Sequence, residues 1–149
     1  MTCYDYVKQF KKKFKGTVAW RLFQNAHVVD LHINPDEKIL YAFAGQKNDS
    51  PLDFFETAAI AITNQRILLG RKRILFGYSL SSITPDLYND MQIYEGIIWG
   101  KVVIDTVKEV ITISNLSKEA LIEIETQISS FMMKAKQKYP HDREHENKH

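Results

Sequence analysis

The chain has a single cysteine, Cys3, so it cannot close an internal disulfide, and that scarcity fits a reducing compartment. No apolar run approaches the ~20 residues a helix needs to cross a bilayer. The first residues, "MTCYDYVKQFKKKFK", lack the apolar core of a secretory signal, so the sequence reads as cytoplasmic. Neither sign of charge dominates. Twenty Lys and Arg against 18 Asp and Glu leave +2, too little to name a partner and short of the basic excess of a nucleic-acid surface. A Gly-rich phosphate loop, CxxC and HExxH are all missing, and no His, Asp or Asn is spaced as a triad around Cys3. The expectation is a non-enzymatic protein with no cofactor, no metal and no nucleic-acid partner. At 149 residues it fits one domain, which buries about 68–70% of its unfolded surface and needs no covalent staple.

What is present divides into three regions. Tyr6, Phe10 and Phe14 recur at four-residue spacing among Lys8, Lys11, Lys12, Lys13 and Lys15, which predicts a helix with one aromatic face, stopped by Gly16. "TVAWRLFQNAHVVDLHI" (17–33) is again near helical period until Asn34-Pro35-Asp36 breaks it. The period then changes to two. Strands are predicted over 38–45, 53–63, 66–70, 73–80, a bent stretch in 81–94 around Pro85, 96–106 and 109–115. β-Branched and aromatic residues dominate them.

The last region is the most periodic. "SKEALIEIETQISSFMMKAKQKY" (117–139) steps Leu121, Ile124, Ile128, Phe131 and Ala135 along one face, with Ser117 as the expected N-cap. Glu119 and Glu123 lie near its start and Lys134, Lys136 and Lys138 near its end, as the helix dipole favours. Pro140 stops it, and "HDREHENKH" reads as a disordered polar tail. His141, His145 and His149 share a four-residue spacing, but beyond Pro140 they are not expected to form a helical metal site.

One apolar-faced helix cannot cover both faces of seven strands, so the sheet must fold onto itself and the helix must close an open end or corner. That order is the order of the pleckstrin-homology (PH) superfold. The sequence is similar to the bacterial PH-like domains, in particular the YokE-like group, through "AIAITNQRILLGRK" (59–72), "YSLSSIT" (78–84) and "GIIWGKVVIDTVKEVITISNLSKEALIEIETQI" (96–128). In that family a strand ending in Thr-x-x-Arg, here Thr63 to Arg66, leads into a second strand, and a later L-x-x-I segment returns before a C-terminal helix. The resemblance implies a mainly β fold with helices (α+β): a PH-like seven-stranded bent sheet or barrel, capped by the C-terminal amphipathic helix. It divides the chain into an N-terminal helical leader (1–36), the PH-like domain (37–139) and the tail (140–149). It carries over no shared activity, because such folds host many unrelated binding functions.

Two basic clusters stand out as anion- or lipid-binding candidates. Arg71, Lys72 and Arg73 sit at a hairpin tip, where charge also serves to keep an edge solvated. Lys8, Lys11, Lys12, Lys13 and Lys15 flank aromatics on a short helix, a pattern that can lie on an anionic bilayer. At about 1 kcal/mol per lysine, five give a dissociation constant of only a few hundred micromolar. Eukaryotic PH domains bind phosphoinositides through a basic loop between their first two strands, whereas "GQKNDSPLDF" (45–54) holds only Lys47 against Asp49 and Asp53. Acidic residues crowd the later half, so an electrically polarised molecule can meet a charged protein or a second copy of itself. The leading expectation is an interaction module working through protein contacts and self-association. The alternative is peripheral binding to anionic lipid headgroups.

Overall fold

The computed structural model describes residues 1–48 and 55–137. Two helices, α1 (Cys3–Lys13) and α2 (Leu22–Leu31), precede seven strands: β1 (Ile39–Gln46), β2 (Thr57–Thr63), β3 (Ile67–Lys72), β4 (Tyr78–Ile83), β5 (Tyr88–Glu95), β6 (Gly100–Thr106) and β7 (Val110–Leu116). The chain ends in α3 (Leu121–Gln137), entered through a 3₁₀ turn at Lys118–Ala120. The strands lie in the order β4-β3-β2-β1-β7-β6-β5, all antiparallel. This is the seven-stranded PH-like arrangement with N-terminal helices and a C-terminal helix that the sequence implied.

Alternation in the strands builds two cores. Phe43, Ile60, Ile62, Ile67, Ile104, Ile111 and Ile113 point to the concave side, where Leu121, Ile124, Ile128 and Phe131 of α3 close over them. The opposite face of β1–β3 carries small residues, Ala42, Ala44, Ala59 and Ala61, and packs beneath Cys3, Val7, Ala26 and Val29 of the first two helices. All seven residues of β2 are therefore buried. Because the alanines are short, the helices can lie close to the sheet. α2 approaches so nearly that a Cβ at Gly70 would stand 3.0 Å from the Asn25 carbonyl oxygen and 2.8 Å from the Val29 side chain.

β1 meets β7 at one register pair, Gln46 with Ser114, so the sheet splays open beyond it. α1 fills that opening. Phe10 and Phe14 enter the concave core, and the Phe10 ring lies 5.8 Å from Phe43 and 6.5 Å from Tyr41. Beside them the Tyr41 hydroxyl donates to Glu123 of α3 at 2.8 Å, and Lys13 reaches the same carboxylate at 2.6 Å.

Several local expectations shift. The buried stripe of α1 is Cys3, Val7 and Phe10, with Tyr6 only half-buried, because the helix packs Cys3 and Val7 on the alanine face and turns Phe10 into the concave core. Cys3 is enclosed, and burial, with Asp30 nearby, pushes its thiol pKa up, which disfavours the reactive thiolate. Ser117 precedes the 3₁₀ turn and not α3 itself, and makes no side-chain cap bond. The bent stretch around Pro85 resolves into the end of β4, a 3₁₀ turn at Pro85–Leu87, and β5. The expected strand over 73–80 starts only at Tyr78; residues 73–77 form the turn, closed by the Arg73 N–H donating to the Gly77 carbonyl, with Gly77 at φ +73°. Residues 53 and 54 of the expected second strand, and the tail with its three histidines, lie outside the described residues.

Candidate functional site

Strand register places three turns at one end of the sheet. Gln46 pairs with Thr57, Lys72 with Tyr78 and Glu95 with Gly100, while Ala59 against Gly70, Gln46 against Ser114 and Gly100 against Leu116 bring those hairpin ends level. The β1–β2, β3–β4 and β5–β6 turns therefore share what is called here the loop end.

The linker between α1 and α2 is stitched into this end. Val18 N–H donates to the Asn115 carbonyl, Ser117 N–H to Thr17 Oγ1, and the Trp99 indole N–H to the Gly16 carbonyl at 3.1 Å. Gln46, fully buried, donates through Nε2 to the Val18 carbonyl and to Thr57 Oγ1. These bonds fix the base from which the turns project.

The β3–β4 turn exposes Ile74, Leu75 and Phe76, the last two at 83% each, directly after Arg71, Lys72 and Arg73. The β5–β6 turn, closed by Gly96 N–H donating to the Trp99 carbonyl, holds Ile97 at 94% and Ile98 at 67% exposure. Phe55 is exposed at the end of β1–β2. Turn tips normally carry Gly, Asn, Asp or Ser, which suit the bend and the solvent. A pair of isoleucines and an Ile-Leu-Phe run satisfy neither requirement, so their placement has no account in folding alone.

The two predicted basic clusters fare differently. Arg71, Lys72 and Arg73 gather at the loop end, although only Arg73 lies in the turn: Arg71 and Lys72 close β3 against Ser79 and Tyr78, and among the described residues none of the three has a carboxylate within ion-pair distance. Of the N-terminal lysines, Lys8 lies 3.9 Å from Asp5 and over the Tyr4 ring, Lys11 donates to the Thr17 carbonyl, and Lys13 pairs with Glu123. Lys12 and Lys15 are exposed. With Val7 and Phe10 committed to the core, α1 has no free apolar face to set into a bilayer.

At the opposite end, Arg66 is structural. Its Nε and one terminal nitrogen donate to the two Glu37 carboxylate oxygens at 2.9 Å each, and that terminal nitrogen also reaches the His32 carbonyl at 3.0 Å. Thr63 Oγ1 donates to Glu37 and accepts the Gln65 and Arg66 N–H groups. Burial pushes the Glu37 carboxyl up, but the bonds from Arg66, Thr63 and the Asn34 N–H, with the Arg66 charge, more than offset it and hold the pKa below the usual range. The family resemblance pointed to Thr63 and Arg66 through their Thr-x-x-Arg pattern, whereas Glu37, which joins them from 26 and 29 residues away, carries no such local signal. Among the described residues no group of three or more His, Cys, Asp or Glu is placed to hold a metal ion, and no helix is long and apolar enough to cross a membrane.

A family model described as "Bacterial PH domain" matches residues 33–130, well over half of the chain. Among solved structures, the chain is similar to the pleckstrin homology domain from Shewanella amazonensis SB2B, at 13% identity and a TM-score of 0.48, over 79% of this chain and 94% of that one. No curated protein matches it.

Proposed function

This chain belongs to the bacterial PH domain family, whose fold serves in general as a non-catalytic binding module, and from that premise we propose that it docks by its loop end onto an anionic membrane surface. The observation that carries this reading is the Ile74-Leu75-Phe76 tip projecting immediately beyond three cations that, among the described residues, have no carboxylate within ion-pair distance. Convex tips shed water fully only in a medium that moulds around them, and a bilayer interface does so while its anionic headgroups meet the flanking arginines and lysine. Burying three such side chains is worth about 5 kcal/mol. Three cations near an anionic surface add about 3 kcal/mol. Together these approach micromolar affinity before ordering costs.

Protein contacts, the first expectation from sequence, fit the same end less well, because a rigid partner needs a matching hollow for each tip. The two readings separate by co-sedimentation with neutral and anionic vesicles at low salt. The protein is expected to pellet with anionic vesicles. A Leu75→Ser/Phe76→Ser variant, and separately Arg71→Gln/Lys72→Gln/Arg73→Gln, are each expected to lose about tenfold or more in partitioning. Absence of the wild-type protein from the anionic pellet overturns the proposal. If light scattering then shows an oligomer that the Leu75→Ser/Phe76→Ser change dissolves, a second copy is the partner.

A further inference from the structure

Between the start of α2 and the turn end of the β3–β4 hairpin lies a groove of about 340 Å³, within the usual size of small-molecule sites. Trp20, Phe55 and Ile74 form its apolar walls, and Arg21, Arg71 and Lys72 border it. Among the described residues none of these three cations has a carboxylate within ion-pair distance. Two are held in place by carbonyl groups instead: Arg21 donates to the Lys72 carbonyl at 3.0 Å and Arg71 to the Phe55 carbonyl at 3.4 Å. A guanidinium tied to a carbonyl keeps its full charge and most of its donors for something else.

The groove is also preorganised. Asn25, 2% exposed, donates to the Trp20 carbonyl at 3.2 Å and accepts the Lys72 N–H at 2.8 Å, joining the two walls through one buried side chain. Thr57 Oγ1 accepts the Trp20 N–H at 3.1 Å from the other side. The Trp20 backbone is thus pinned on both flanks while half of the residue stays exposed to solvent. Arg21 turns the chain there at φ +48°, a left-handed conformation that a non-glycine residue adopts at a cost, sustained here by these surrounding bonds. Trp20 and Arg21 precede the residues matched to the family, so one wall comes from the leader of this chain.

We infer that this groove binds an anionic amphiphile, a phosphate or carboxylate carried on an apolar body. The head meets Arg21, Arg71 and Lys72, and the body lies against Trp20, Phe55 and Ile74. This deepens the membrane-docking reading, on which it rests for a lipid as the source of such a molecule, and it differs from docking by the tips in requiring one ligand in one place.

The Trp20 indole N–H signal in a ¹H–¹⁵N spectrum reports on the groove directly, with the signal assigned through Trp20→Phe. Titration with monomeric n-octyl phosphate is expected to move it saturably. Arg71→Gln/Lys72→Gln is expected to weaken binding about tenfold, while Lys134→Gln on α3 leaves it unchanged. Inorganic phosphate and n-octanol are each expected to bind far more weakly. Failure of the signal to saturate, or an affinity indifferent to the Arg71 and Lys72 substitutions, overturns the inference. So does phosphate or octanol binding as tightly as the amphiphile, since the site would then read a bare anion or an oil. If octyl phosphate fails while vesicles still pellet the protein, only the groove is refuted. If octyl phosphate binds and vesicles do not, the ligand is a soluble amphiphile and the membrane reading falls alone.

Discussion

Glu37 and Arg66 form a contact in which a few atoms hold distant parts of the chain together. Glu37 follows α2, Arg66 immediately precedes β3, and Arg66 also reaches Ser82 of β4 at 3.2 Å, so one guanidinium links the leader, the β2–β3 turn and an edge strand. The Glu37 side chain is fully enclosed and Arg66 only 18% exposed, so removing either partner strands a charge away from water. Glu37→Gln is expected to cost about 3–5 kcal/mol in urea unfolding near neutral pH. The sign of its pH dependence follows from the lowered carboxyl. A carboxylate with a folded pKa below its unfolded value contributes stability above the unfolded value, about 4.3, and loses it as pH falls through the folded one. The gap between wild type and Glu37→Gln should therefore narrow in acid. An equal gap at about pH 7 and about pH 3.5 would mean that Glu37 acts by packing alone.

At the scale of elements, α2 shows how a helix can be placed by what the sheet omits. Its sequence is apolar on several sides, with Phe23 and Leu31 exposed and Ala26, Val28 and Val29 buried, so its own pattern fixes no orientation. The small surface of Ala59, Ala61 and Gly70 beneath it does. Gly70→Ala should cost about 1–3 kcal/mol, because the new methyl meets the α2 backbone and not merely a side-chain end that can rotate. Thermal unfolding checks this. A variant as stable as wild type would show that α2 shifts freely on the sheet.

The β3–β4 hairpin carries the opposite lesson. Its alternation from Ile67 onward was legible, and so was the Thr63–Arg66 turn, because each is written in adjacent residues. The run "RILF" reads equally well as the start of a strand. It becomes a turn because the register of β3 against β4 closes at Lys72 with Tyr78, which leaves Ile74, Leu75 and Phe76 beyond the last pair. Nothing local distinguishes an apolar residue in a ladder from one just past its end.

In the whole molecule, α1 is part of the core. Phe10 bridges the leader to the concave core at the gap between β1 and β7, where Phe43 and Tyr41 meet it. Phe10→Ala is expected to cost about 3–5 kcal/mol, with a single cooperative urea transition retained. Separate transitions for the leader and the sheet would show that they fold independently. The Lys13–Glu123 pair alongside is largely exposed on the lysine side and should contribute little by itself.

The sequence alone determined that a run of seven strands precedes a long C-terminal helix, and which stripe of that helix turns inward. Each depends on a repeat of two or about three and a half residues. Tertiary structure decided which lysines of α1 were already engaged, that Glu37 would answer Arg66, and that Trp20, Arg21, Phe55 and Arg71 would border one groove. Apart from the local contacts of Lys8 and Lys11, those outcomes turn on which chain segments meet across 16 to 110 residues of separation. Exposure follows from such meetings, and no local period encodes it.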